Sequence, residues 1–347
     1  MRQIFTPVIL LIALSVTTHL WAEEMHWEPS TQAEWNSANH PRIFFSKYES
    51  LFHKIPSSQT FSKLLWSDDY WPRFMGGISY RWQTYQGPRD YRLYSSRDIR
   101  RLSPQELDEL SPAEKFDILN GDFDFPFTRR VIRQNPSHAP GWQGICHGWA
   151  EANLHEMPPE EKTLTAKGGI DIPFRRSDIA ALLSYYYAKE RRGRVTFLGR
   201  RCRGKTINST SCEDVNPASF HIVLAESFKR SRGIIADIDP GSDVWNHPIK
   251  SYEYQVIGER EPHANAARGS VKEIHIFNKV KILTETSPST DPNGEVLDEM
   301  YFDYWLELDS DNRVIGGSWH ERPQIDFLWY RSKKSLPRDY ARLISDK

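Results

Sequence analysis

The first apolar stretch of the chain runs from Ile4 to Val16 and contains Val8, Ile9, Leu10, Leu11, Ile12 and Leu14. Arg2 precedes it, and Trp21-Ala22 followed by the acidic pair Glu23-Glu24 closes it. A positive start, a short apolar core and a small residue before a polar segment form the layout of a secretory signal peptide, here residues 1–22 with cleavage after Ala22. The core falls short of the roughly 20 apolar residues that a membrane-spanning helix needs, and no second apolar run of that length occurs. The mature protein is therefore expected to be exported, secreted or periplasmic, with no membrane span. Residues 23–105 carry no regular period. They are rich in Trp, Tyr, Arg and Ser and are punctuated by Pro56, Pro72, Gly76-Gly77 and Gly87-Pro88, which predicts an irregular, partly helical N-terminal extension or propeptide-like region.

Helical signals then begin. Ser103-Pro104-Gln105-Glu106 and Ser111-Pro112-Ala113-Glu114 each place Ser at the N-cap, Pro at the first helical position and an acid in the first turn. The second leads into Lys115–Leu119 and stops at Gly121. Gly144 breaks regularity just before Cys146, and Ala150–His155 reads as helix until Pro158-Pro159, so Cys146 is predicted at or near a helix N-terminus. Ser177 and Asp178 open another helix, whose Ile179, Leu182, Leu183, Tyr186 and Tyr187 share one face. From His221 the period changes. His221–Ala225 reads as a strand, Ser231-Arg232-Gly233 as a turn and Gly233–Asp239 as a second strand ended by Pro240-Gly241. Val271–Leu283, Asp303–Leu308 and Arg313–Trp319 are further strands, the last two joined by an Asp309–Asn312 turn. Helices first and antiparallel strands after make an α+β fold, with residues 106–347 as the main domain.

Composition narrows the partners. Forty-five basic and forty-six acidic residues nearly cancel, so no global field favours nucleic acid or an anionic membrane. Twelve Trp and fifteen Tyr suit a cleft for peptide-like substrates, although such rings also fill cores. Only Cys146, Cys202 and Cys212 occur. Cys202 and Cys212 lie in one polar stretch, close enough for a disulfide that closes a short loop and contributes roughly 2–3 kcal/mol. Cys146 is left unpaired and becomes the candidate reactive thiol.

A thiol at a helix start is acidified by the unpaired N–H groups there. It then needs an imidazole to take its proton and a third group to orient that ring. His221, opening the first strand after Cys146, is the expected base. A hairpin turning near Ser231 would bring Asp239 opposite it, with Asp237 on the same face as the fallback orienter. His147 points away from the thiol by about 100° and reads as structural or substrate-side. Trp142 and Trp149 are candidate cleft walls, and Trp142 is also a candidate oxyanion donor beside the Cys146 backbone N–H.

Several of these segments resemble the transglutaminase elicitor family, the cell-wall transglutaminases of plant-pathogenic oomycetes and their bacterial relatives. The matching stretches are Ser111–Lys115, Gly144–Ala150, Asp214–Pro217 with Phe220-His221, Ala236–Gly241, Val244–Ile249, Leu306–Asp309 with Ile315–Gly317, and Asp326–Trp329. The resemblance spans about residues 105–331. It implies a papain-like α+β fold, Cys146 as nucleophile with His221 as its histidine, and an acidic partner within Asp237–Asp239. It also implies acyl transfer from a glutamine side chain to a lysine amine, or to water in deamidation, on protein or peptide substrates. Calcium is the associated cofactor, yet no EF-hand spacing occurs; Asp303, Asp309 and Asp311 could bind a cation, although they read first as turn formers. His247 stands where the family's elicitor peptide has Gln, and Glu151-Ala152-Asn153 departs from the usual continuation. Two rival readings use the same residues: a secreted papain-like protease, and a secreted elicitor or toxin-like binding protein with a silent site.

Overall fold

The computed structural model describes residues 35–200, 214–239, 243–291, 294–320 and 325–345. The expected signal peptide and both Cys202 and Cys212 lie outside the described residues. From residue 35 to about 105 the chain is irregular, as its punctuation predicts, with short 3-10 turns, the strand β1 (Ser58–Thr60) and the single turn α1 (Ser96–Ile99). It is not peripheral. Leu65, Trp66, Trp71 and Ile78 belong to the same hydrophobic core as the later helices and strands and are almost completely buried.

The helical part follows. Both predicted Ser-Pro starts are capping boxes: Ser103 opens α2 (Pro104–Asp108), and Ser111 opens α3 (Pro112–Asn120), which Gly121 ends in the left-handed region. After α4 (Pro126–Gln134) comes α5 (Cys146–His155), a central helix in which only His147 reaches solvent appreciably. A hairpin of β2 (Lys162–Thr165) and β3 (Asp171–Phe174) leads to α6 (Arg176–Tyr185). Gly148 lets α5 and α6 cross closely, because a Cβ there would collide with the Ser184 carbonyl and with Ala188. Several buried charges in this half are paired. Lys115 sits 2.5 Å from Asp178 and 3.3 Å from Asp108, Arg81 grips Glu114 with two nitrogens, and Arg176 meets Asp68 at 2.9 Å.

The C-terminal half is a sheet. Its strands are β4 (Thr196–Gly199), β5 (Ile235–Asp237), β6 (Asn246–Arg260), β7 (Lys272–Leu283), β8 (Leu297–Leu308), β9 (Val314–Trp319) and β10 (Phe327–Tyr330). They lie in the order β4-β10-β5-β6-β7-β8-β9, with every neighbouring pair antiparallel and β1 added against β6. The α+β expectation holds. One strand does not: residues 217–229 form the helix α7, which packs on β8 and β9. Asn216 accepts from the backbone N–H groups of Ala218 and Ser219, and Pro217 occupies the first helical position, a start signal that outweighs the β-branched run behind it. The short helix α8 (Arg338–Ile344) follows β10 and packs against α6.

Candidate active site around Cys146

Cys146 is the first residue of α5, and it is the free cysteine among the described residues. Its Sγ lies 3.6 Å from the Val244 carbonyl oxygen and 3.7 Å from the Asn246 side-chain amide. Asn246 is held in turn, its Oδ1 accepting the Trp329 indole N–H at 2.6 Å. Directly across from Asn246 stands Asp237, on the neighbouring strand and on the same face. Its Oδ1 accepts from the Trp245 N–H at 2.8 Å, while Oδ2 is buried without a partner. The roof is the segment Val244-Trp245 together with Tyr70, whose ring packs edge-on against Trp245 at 5.2 Å. Tyr70 is fastened at both ends, its carbonyl accepting from Ile145 N–H at 2.7 Å and its hydroxyl donating to the Gly141 carbonyl. Gly144 is required here because a Cβ would collide with the Tyr70 carbonyl. Trp71 next to it takes the strained left-handed backbone, φ 52°.

Burial governs the electrostatics. It pushes the Cys146 thiol up to about 11, against the pull of the Asn246 hydrogen bonds, and the carboxylates of Glu285 and Asp237 push the same way. Helix-start acidification was expected; desolvation outweighs it. Burial likewise raises Asp237 to about 7, helped by Asp326, and raises Glu285 to about 7. Glu285 faces His247, whose Nε2 is 3.3 Å from Oε2 and whose Nδ1 bonds the Leu283 carbonyl oxygen at 2.7 Å. His247 is pressed down to about 4 by burial. Neutral imidazole and protonated carboxyl are thus the mutually consistent states of that pair near neutrality.

The structure does not bring His221 to Cys146. His221 sits on α7, where its Nδ1 bonds the Tyr304 hydroxyl at 2.9 Å and its ring packs on Tyr254 at 4.7 Å. Cys146 lies at Asn246, the first residue of β6, whereas Tyr254 is eight residues along that strand, about 25 Å at the rise of a β-strand. Burial alone lowers His221 to about 3, and its Nε2 has no partner. The expected hairpin partner is absent as well: β5, which ends at Asp237, pairs with β6 and β10. Asp239 follows β5, half-buried, and its backbone N–H bonds Asp237. Trp149 is completely buried, its indole N–H bonding the Trp66 carbonyl, so it is core and not a cleft wall. Trp142 is half-buried. His147 is half-buried, held near 4 by burial and Lys189.

Sequence reasoning missed Asn246 beside the thiol, Trp329 that holds Asn246, and Glu285, whose charge bears on the sulfur. Asn246 and Trp329 both lie inside stretches quoted for the family resemblance. Nothing in the local pattern singles out Glu285.

The family model described as Transglutaminase elicitor matches residues 127–340, more than half of the chain. The chain belongs to the transglutaminase elicitor family. Among solved structures, this family member is similar to the GP42 transglutaminase from Phytophthora sojae, with a TM-score of 0.65 and 20% identity over 90% of this chain and 97% of that one. That likeness shows a shared fold. No curated protein sequence matches the chain.

Calcium takes six to eight oxygen ligands. Among the described residues, two groups bring three potential ligands together, His275–Asp303–His320 and His263–Glu273–Glu307. Neither supplies that oxygen set, and Arg260 already bonds Glu273 in the second. Asp309 is a turn former, accepting from the Asp311 and Arg313 N–H groups.

Proposed function

We propose that this transglutaminase elicitor family member is an exported cysteine acyltransferase of transglutaminase type, acting on protein or peptide glutamine with Cys146 as nucleophile. The observation that supports it is the position of an unpaired thiol on the first turn of a buried helix, facing Asn246 and the half-satisfied carboxyl of Asp237. The order of a helix-borne thiol facing later strands is papain-like. The Cys146 proton passes to a carboxylate partner as Sγ attacks the γ-carboxamide carbon. The C–N bond then breaks, that proton leaves with the amine as ammonia, and a thioester remains. A lysine amine, or water, attacks the thioester and releases the thiol. Asp237, titrating near 7 with a free oxygen, is suited to hold that proton. In this reading Asn246, beside the sulfur, and the backbone N–H of Cys146 donate to the oxyanion. His221, tied to Tyr304, takes a structural role in this reading.

Attack requires the Tyr70–Trp245 roof to move aside, since the sulfur is buried beneath it. The decisive assay offers a glutamine peptide and a labelled primary amine to the purified protein, beside Cys146→Ala and His221→Gln. Labelling and ammonia release are expected in the parent and in His221→Gln, and neither in Cys146→Ala. Labelling retained in Cys146→Ala sinks the proposal. New N-termini in the substrate, without amine incorporation, would mark a protease instead.

A further inference from the structure

Strand alternation separates two faces of the sheet. Phe302 and Tyr304 of β8 point toward α7, where they meet Phe220 and His221. Asp303 and Trp305 therefore point the other way, and His275 of β7, directly paired with Trp305, joins them. His320, just past β9, completes the group, its N–H bonding the Asp303 carbonyl at 3.0 Å. His275 Nε2 is hydrogen-bonded to Asp303 Oδ1. The His320 ring stands edge-on to His275 at 4.9 Å. One ligand atom from each of the three lies within 4.8 Å of the others.

We propose that His275, Asp303 and His320 form a binding site for a divalent transition cation of zinc type. Two imidazoles and one carboxylate are the donor set that such ions take, whereas calcium and magnesium favour oxygen alone. Ligands about 2.0–2.2 Å from one ion stand roughly 3–3.5 Å apart, which side-chain rotation reaches from the present spacing without moving the strands. The His275 ring is already oriented, stacked on Trp305 at 4.2 Å with 14° between planes. Arg260 lies 3.8 Å over the same indole and braces it. His320 is exposed, so the remaining coordination position opens to solvent. The neighbouring group of His263, Glu273 and Glu307 is a weaker candidate, because a cation there must displace the Arg260 guanidinium from Glu273. The site lies apart from Cys146, and the proposal stands or falls independently of acyl transfer. Its consequence is a clip joining β7, β8 and the end of β9.

The test uses the full chain without a purification tag, with Cys146 replaced by Ala and the accessible thiols alkylated, so that sulfur cannot bind the metal. Zinc alone is titrated calorimetrically and in thermal unfolding. One equivalent should bind and raise Tm, His320→Ala should weaken binding at least about tenfold, and Asp303→Asn should do the same. His320 is exposed, so that variant is expected to keep the parent's zinc-free Tm, which separates lost binding from lost folding. Glu307→Gln should bind like the parent. Absence of saturable binding overturns the proposal. So does binding unchanged in His320→Ala and Asp303→Asn, binding lost only in Glu307→Gln, or calcium binding in preference to zinc.

Discussion

Between pH 4 and 7 the buried Asp237 keeps a proton that the unfolded chain has already released, since burial raises it from the ordinary 3.8 to about 7. Its contribution is favourable below pH 4 and is lost as pH climbs through 7. Asp237→Asn should therefore gain stability relative to the parent across that window, by about 2–4 kcal/mol. Urea unfolding at pH 4.5 and 7.5 reads the change, and a constant difference would contradict the assignment. His221 shows the opposite trend. It is held near 3 against an ordinary 6.5, so acidification through that range loads protons onto the unfolded chain only and destabilises the fold. His221→Gln retains a polar neighbour for Tyr304 and should blunt this acid sensitivity. Residue types and the unpaired status of Cys146 were readable from the sequence. Asp237 was named as a fallback acidic partner, but Asn246 was not, because it meets the thiol only through the β5–β6 register.

Element by element, the legible parts were those with local grammar. The two Ser-Pro-x-Glu starts became capping boxes, and Val271–Leu283 and Arg313–Trp319 became β7 and β9 with bounds one residue off. The segment His221–Ala225 became helix although it reads as strand. A short apolar run cannot be assigned by period when every face is buried, and α7 is buried nearly all round. The Asn216-Pro217 start was the signal that could have corrected it. Two substitutions test the helical layer. Gly148→Ala should cost about 1–3 kcal/mol, since the α5–α6 crossing has no room for a methyl group. Lys115→Ala should cost about 3–5 kcal/mol by leaving the buried Asp178 without its counter-charge, whereas Asp108 keeps Arg175. Denaturant midpoints measure both, and effects within a few tenths would remove the packing argument.

For the whole molecule, the α+β class followed from the order of elements, but the part played by residues 35–105 did not. Their irregular composition suggests something detachable. The structure instead draws Trp66, Trp71 and Ile78 into the common core, and ties Trp66 N–H to Asn153 of α5 and Arg73 to Gln143. A chain beginning at residue 106 should consequently fail to unfold cooperatively, lacking that wall of its core. Circular dichroism and limited proteolysis of the truncated protein give the answer, and a stable, protease-resistant fragment would show that the N-terminal region is dispensable.

The Tyr70–Trp245 cover has one more implication. A sulfur that stays protonated and out of reach is a poor target for peroxide and for foreign disulfides, so the molecule can wait in oxidising surroundings without spoiling its nucleophile. Reagents such as iodoacetamide should accordingly modify Cys146 slowly in the resting protein and quickly once the cover is loosened, for example by Tyr70→Ala.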